Sequence, residues 1–264
     1  MLCRSARPKN MSNKDAGTRI AAYLARCGLG SRRACETLVT DGRISVNGQP
    51  IDHPSFKVMA GDEIALDGEL IKAPEDTRVW RYHKASGVIC TRSDPQDRTT
   101  LFSQVEPRLG HVVSVGRLDL NTEGLILLTN NGALARHLEL PSNGWVRRYR
   151  VRVYGRITQR MLDGLRGGVT VDGVEYGPVN SMLEAQQGAN SWVAVGIKEG
   201  KNREIRRIFE HLGCKVSRLI RVSYGAFQLG KLPVDGLEEI PAKMLREQFG
   251  EKTAAEFGIG AKPR

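Results

Sequence analysis

The pattern of apolar positions changes from helical to strand-like within the first third of the chain. Apolar residues share one helical face over positions 20–27, Gly28 ends that face, and Ser31 is a typical N-cap for a second short helix. An Asn47-Gly48 pair then separates two short apolar runs. That pattern indicates a β-hairpin, because both turn residues must tolerate a positive φ. We therefore predict a small domain over residues 17–76.

A larger segment, residues 77–249, mixes strand and helix patterns without regular alternation. Strands are predicted over 79–83, 125–129 and 148–153, and helices over 132–139, 159–165 and 202–212. Within the third strand, Tyr149, Val151 and Val153 share one face and three arginines share the other. The irregular order predicts an α+β fold with a mainly antiparallel curved sheet flanked by helices.

Three segments lack such patterns. Residues 1–16 are predicted to be a disordered basic extension, within which Met1 and Met11 are both possible starts. Residues 68–78 are polar, contain Pro74 and are predicted to be a linker. The polar residues 250–264 are predicted to be a flexible tail.

The charge balance points to a polyanionic partner. The 264 residues include 40 Lys and Arg against 29 Asp and Glu, which gives a formal net charge of +11. Nucleic acid is the first candidate, and no run approaches the roughly 20 apolar residues that span a bilayer. The five cysteines form no C-x-x-C pair and the histidines are scattered, so neither a disulfide framework nor a metal site is expected. We expect a cytoplasmic protein, since the N-terminus has no secretory signal pattern.

Candidate chemistry lies in three places. Asp119 stands near Arg117 in a glycine-bounded loop before a buried strand; the simpler alternative is an Asp–Arg pair that fixes a turn. Tyr149 is either a functional aromatic residue or an ordinary inward-facing strand residue. The basic run 198–207 enters a helix, where backbone amides favour anions, although it could also be a solvated helix face.

Taken in order, these segments resemble pseudouridine synthases of the RsuA and RluB type. Residues 116–132 read G-R-L-D-L-N-T-E-G-L-I-L-L-T-N-N-G, and residues 199–207 read E-G-K-N-R-E-I-R-R. Residues 83–91 and 147–151 resemble two further blocks of that family, with Ala85 where the family has proline and Glu204 where it more often has glutamine. Residues 17 to about 70 resemble the small alpha-L RNA-binding module.

The resemblance implies a role for each candidate residue. Asp119 would be the nucleophile, Arg206 its cationic partner, and Tyr149 a base-stacking or proton-relay residue. Ile205 would floor the substrate pocket and Arg117 would brace its loop or touch phosphate. The implied RNA-binding residues are Arg19, Arg32, Arg33, Arg43, Lys198, Lys201, Arg203 and Arg207.

The implied reaction isomerises uridine in ribosomal RNA and needs no cofactor, metal or membrane. Glu204 and residues 218–222 favour large-subunit over small-subunit RNA, either naked or in an assembling particle, and the protein is expected to be monomeric. The main alternative is a non-catalytic ribosome-assembly factor, but loss of the aspartate would mark such a protein. A methyltransferase would need a glycine-rich loop between a strand and a helix, which we do not find.

Overall fold

The computed structural model describes residues 17–260, which fall into two compact units that divide between Glu75 and Asp76. The first unit contains two helices and six short strands. Its elements are β1 (Thr18–Arg19), α1 (Ile20–Arg26), α2 (Arg32–Thr40), β2 (Ile44–Val46), β3 (Gln49–Ile51), β4 (Lys57–Val58), β5 (Ile64–Leu66) and β6 (Glu69–Leu70).

The first unit is built around one small core. Ser31 caps α2 by accepting a hydrogen bond from the Ala34 backbone N–H at 3.2 Å, as the sequence predicts. Ile20, Leu24 and Val39 are fully buried between the helices and the four-stranded sheet β3-β2-β5-β6. The helices and sheet are therefore held together by a shared apolar core.

The second unit contains the remaining described elements. They are β7 (Val79–Lys84), α3 (Leu101–Leu109), β8 (Val113–Ser114), β9 (Glu123–Thr129), α4 (Gly132–Glu139), β10 (Arg147–Tyr154), α5 (Gln159–Asp163), β11 (Val169–Val171), β12 (Val174–Tyr176), β13 (Asn180–Gln187), β14 (Asn190–Ile197), α6 (Glu204–His211), β15 (Lys215–Tyr224), β16 (Phe227–Gln228), β17 (Leu237–Glu239) and α7 (Ala242–Glu256).

A long sheet with the order β13-β14-β10-β15-β9-β7-β17 organises this unit. Neighbouring strands are antiparallel except β15 and β9, which run parallel where Arg221 lies opposite Gly124. Gly124 has φ +105°, and a Cβ there would overlap the carbonyl oxygen of Arg221. The predicted α+β fold with a mainly antiparallel sheet is confirmed.

Apolar side chains cover both faces of the sheet at β7 and β9. Ile126 and Leu128 face a core shared with α3, α5 and α6, while Leu125 and Leu127 face a second core shared with α4 and α7. A strand buried on both faces gives the continuous apolar run that the sequence shows at 125–128.

Two predictions about chain ends and linkers need correction. The proposed flexible tail 250–264 is wrong for its described part: the helix breaks at Gly250, which has φ +78°, but helical structure resumes after it to Glu256, and Ala254, Phe257 and Ile259 are buried in the second core. The proposed linker 68–78 is shorter than predicted: Glu69–Leu70 pairs with β5, and the buried Thr77 hydroxyl donates to the Phe257 carbonyl. The predicted extension 1–16 lies outside the described residues.

Other elements depart from prediction by a few residues. The helix predicted over 132–139 is α4, whereas the one predicted over 159–165 ends at Asp163 and continues as a 3₁₀ turn.

No helix within residues 17–260 is both long enough and apolar enough to cross a bilayer.

Candidate active site

A cavity of about 670 Å³ opens in the second unit, lined by the loop before β9, the start of β10 and the loop before α6. Asp119, Tyr149, Ile205, Arg117, Lys201 and Arg203 all line it. These residues come from three distant sequence segments. The structure therefore brings together all the candidate catalytic and pocket residues except Arg206, with two of the candidate RNA-binding residues.

The loop that carries Asp119 is anchored by a buried lysine. The Lys84 side chain is fully buried, and its ammonium donates to the carbonyls of Ala85 at 2.8 Å, Thr122 at 2.9 Å and Leu120 at 3.3 Å. Burial lowers the pKa of Lys84, and the negative charge of nearby Asp119 opposes that shift. The ammonium thus ties the end of β7 to the loop on both sides of Asn121.

Arg206 anchors the same loop from the opposite side. Its guanidinium donates to the Asn121 carbonyl at 2.8 Å and to the Val216 carbonyl at 3.2 Å. No ion pair joins it to Asp119 in the described part of the chain, which differs from the expected direct partnership. The guanidinium instead donates to the Asn121 carbonyl of the loop. Burial lowers the pKa of Arg206, and the charge of Asp119 again opposes the shift.

Tyr149 lies on the cavity side of β10. It is 8% exposed, stands opposite Arg221 of β15 and Val195 of β14, and its ring joins the first core. Half-buried Asp119 and buried Ile205 line the same cavity. A planar ring, an apolar floor and a carboxylate are thus available together to a flat heterocycle.

Two buried arginines and a tyrosine form another wall. The Arg147 guanidinium donates to the Tyr224 hydroxyl at 2.8 Å and to the Lys198 carbonyl at 2.6 Å. Arg221 donates to the Leu125 carbonyl at 2.7 Å, and its guanidinium lies 5.3 Å from the centre of the Tyr224 ring. This wall gives the cavity a fixed positive charge.

An acidic pair shapes the loop before α6. Glu204 accepts a hydrogen bond from the Lys201 backbone N–H at 2.9 Å, and the Lys201 ammonium pairs with Glu199 at 2.9 Å. Burial, opposed by the hydrogen bond from the Lys201 backbone and reinforced by the negative charge of Glu199, raises the pKa of Glu204 to about 7. Burial also acts to raise the pKa of Glu199, but hydrogen bonds from Gly177 and Lys201 lower it overall. Near neutral pH a proton therefore resides on Glu204, whereas Glu199 is ionised.

Several buried polar atoms at the cavity have no hydrogen-bond partner among the described residues: Thr122 Oγ1, Glu204 Oε1, Arg206 Nε and Arg221 Nη2. Buried polar groups are normally paired, so unpaired ones around a cavity suit a polar ligand or ordered water. A nucleoside offers both the flat ring and the hydroxyl and carbonyl groups that such a site would bind.

Two family models match the chain. The RNA pseudouridylate synthase family matches residues 78–211, half of the chain, and the S4 domain family matches residues 18–64. The chain belongs to the RNA pseudouridylate synthase family. The matched range contains Asp119, Tyr149 and Arg206, and the S4 match lies within the predicted alpha-L module, residues 17–76.

Relatives of this synthase cover nearly all of it. An uncharacterized RNA pseudouridine synthase from Rickettsia felis is 43% identical over 87% of this chain and 99% of the relative. Ribosomal large subunit pseudouridine synthase B from Haemophilus influenzae is 40% identical over 94% of this chain and 72% of the relative. A solved structure, the crystal structure of a pseudouridylate synthase, shares the fold with a TM-score of 0.61 and 24% identity over 88% of this chain and 99% of that one.

The predicted RNA-binding residues of the synthase differ in their surroundings. Arg203 is exposed at the cavity and adopts a left-handed φ of 51°, whereas exposed Lys198 and Arg207 lie outside the cavity lining. The Lys201 ammonium is already held by Glu199. In the first unit Arg19, Arg32, Arg33 and Arg43 are all exposed, although Arg32 pairs with Glu36 and Arg43 with Asp67.

Sequence reasoning missed the residues that hold the synthase site together. Lys84, Arg147 and Arg221 are each less than 8% exposed, yet no local pattern marks a basic residue as buried. Lys84 and Arg147 lie at strand ends within the two blocks, 83–91 and 147–151, that resemble the family, and Arg221 lies within β15; neither the blocks nor the strand pattern indicates that these side chains are buried.

Proposed function

We propose that this enzyme converts one specific uridine of large-subunit ribosomal RNA to pseudouridine, with Asp119 as its nucleophile. The observation that carries the proposal is the half-buried Asp119 carboxylate on a loop anchored by Lys84 and Arg206, facing Tyr149 across one cavity. The large-subunit assignment is supported by relatives of 38–40% identity named ribosomal large subunit pseudouridine synthase B.

The reaction is an isomerisation and requires no external reactant. The C1′–N1 glycosidic bond breaks, the uracil turns, C1′ bonds to C5, and the proton from C5 leaves while N1 gains one. The Asp119 carboxylate acts on the ribose or the base, by direct attack or by assisting elimination. In either route negative charge moves from the Asp119 carboxylate to the uracil, and positive groups that line the cavity, such as Arg221, stabilise that charge.

The other residues bind and orient the nucleoside. Tyr149 stacks on the uracil or relays the C5 proton, and Ile205 supplies apolar surface beneath the base. The target uridine must leave its stack, which costs a few kcal/mol. Arg117, Lys201 and Arg203 at the cavity, with Lys198 and Arg207 beyond it, contact phosphates and offset that cost, as do the four arginines of the S4 unit.

Pseudouridine mapping of ribosomal RNA tests this function. We expect a strain lacking the gene to lose one modification in large-subunit RNA, wild-type enzyme to restore it, and Asp119→Asn enzyme to leave it absent. Asn keeps the size and polarity of the side chain, so the folded state should persist in thermal unfolding. A deletion strain that keeps every modification, together with purified enzyme inactive on RNA transcripts, would contradict the proposal and favour a binding-only factor.

A further inference from the structure

The face of the sheet opposite the cavity carries a second cationic surface. Along β10, Tyr149, Val151 and Val153 are buried toward the first core, whereas Arg148, Arg150, Arg152 and Tyr154 are exposed on the other face. Helix α5 joins the core on the buried side through Leu162. We call the exposed side the outer face, defined by Arg148, Arg150, Arg152, Tyr154, Lys215 and Arg218.

The strand register concentrates positive charge on this face. Arg152 lies directly opposite Arg218, and Tyr154 lies opposite Lys215. Like charges directly opposite each other destabilise a strand pair. An anion bound beside Arg152 and Arg218 would reduce the repulsion between them, so this face favours an anionic ligand.

The acidic residues nearby offset only part of the charge. Glu184 pairs with Arg150 at 2.9 Å, and Glu123 binds Arg218 through two hydrogen bonds of 3.0 and 2.9 Å. The guanidinium groups of Arg148 and Arg152 have no hydrogen bond or ion pair with any residue from 17 to 260. Both are thus available to a ligand.

Aromatic and apolar groups accompany these cations. The Arg150 guanidinium lies 4.8 Å from the centre of the Trp192 ring, which is a cation–π contact. Tyr154 and Met182 are 58% and 59% exposed, which is more than tyrosine and methionine side chains usually are in folded proteins. Arginines repeated at every second strand residue, about 6.6 Å apart, beside exposed rings are typical of surfaces that bind RNA.

We propose that the outer face binds the phosphate backbone of an RNA segment separate from the one that enters the cavity. The two surfaces lie on opposite faces of one strand, so a short stem-loop in the cavity does not cover both. The partner is a folded ribosomal RNA domain long enough to reach around the sheet. This inference rests on the proposed function, because it takes ribosomal RNA as the substrate.

Hydroxyl-radical footprinting tests the contact directly. With a long ribosomal RNA fragment containing the target, oxidation of Met182 and Tyr154 should fall several-fold, whereas a short target stem-loop should leave both unprotected. Met244, which is 47% exposed on α7, is the internal control and should be oxidised equally in every sample. Equal oxidation of Met182 with and without the long RNA would overturn the proposal.

A matched pair of double variants measures the charge contribution. Removing two phosphate contacts in Arg148→Gln/Arg152→Gln should make the slope of log K against log salt shallower by about 1.5, so the loss of affinity for the long RNA relative to wild type should be roughly 30-fold greater in 0.1 M than in 1 M salt. Arg160→Gln/Lys243→Gln removes two exposed cations elsewhere and should change the slope far less. Equal losses in both variants would indicate a general charge effect and overturn the proposal.

Two further outcomes are distinguishable. Protection of Met182 that grows with protein concentration in the absence of RNA would identify an interface between copies and overturn the proposal. The proposed function itself is checked separately by pseudouridine formation with wild-type enzyme on the short stem-loop. Activity there without protection on the long RNA would reject the outer-face contact alone.

Discussion

Replacement of Lys84 by methionine should lower the rate of catalysis more than any other change away from the cavity. The ammonium donates to three carbonyls at 2.8–3.3 Å, two of them in the loop that follows Asp119. A hydrogen bond to a charged group contributes about 1.5–3 kcal/mol. Methionine removes all three bonds but also the cost of burying a charge, so we expect a net loss of about 2–4 kcal/mol in the free energy of unfolding.

The catalytic effect follows from the freed loop. A displacement of Asp119 by about 1 Å would lower kcat on the order of 100-fold. KM should change little, because Lys84 is fully buried and cannot touch RNA. Single-turnover kinetics on a target stem-loop, measured well below the melting temperature, would give both quantities.

A control variant that also replaces a lysine by methionine separates the loss of loop anchoring from a general loss of positive charge. Lys231→Met removes an exposed lysine of the same unit and should leave stability and kcat unchanged within about twofold. If Lys84→Met were folded and turned over at the wild-type rate, the loop would not depend on the ammonium and our account of the site would be refuted.

Two further substitutions test other parts of the structure. Gly124→Ala should destabilise the enzyme by about 3 kcal/mol or more in urea unfolding, because φ is +105° and the added Cβ would overlap the Arg221 carbonyl; a change below about 0.5 kcal/mol would refute this. Glu204→Gln should become increasingly stabilising relative to wild type as pH rises from about 4.5 to 7, up to about 3 kcal/mol. The reason is that folded Glu204 holds a proton that the unfolded chain releases near pH 4.5, so wild-type stability falls as pH rises; a difference that is constant from pH 5 to 8 would contradict the assigned pKa of about 7.

Strand periodicity predicted β10 and the composition of its faces because alternation there is strict. The apolar and basic positions from 148 to 153 fall on opposite faces, as observed. The hairpin of β13 and β14 was missed because β13 has no fully buried position, although β14 alternates between buried and half-buried positions. The ordered segment after Gly250 was missed because its buried residues, Ala254, Phe257 and Ile259, lie among polar residues and glycines that suggest a frayed tail.

The position of Asp119 was predictable, but its support was not. A glycine-bounded loop before a buried strand indicates a rigidly held group, and the loop is indeed held. The anchors are Lys84 and Arg206. Lys84 is 36 residues from its carbonyl partner Leu120, and Arg206 is 85 residues from its carbonyl partner Asn121. Sequence periodicity describes only neighbouring residues, so long-range hydrogen bonds of this kind leave no local pattern.

The way these cations are held bears on how the carboxylate works. An arginine locked onto Asp119 by two hydrogen bonds would fix the carboxylate oxygens and compete with the substrate for them. Here Lys84 and Arg206 donate their hydrogen bonds to backbone carbonyls, yet both still interact electrostatically with Asp119. In the proposed mechanism this arrangement keeps both positive charges near Asp119 without occupying its oxygens, so that the carboxylate is free to react at the cavity.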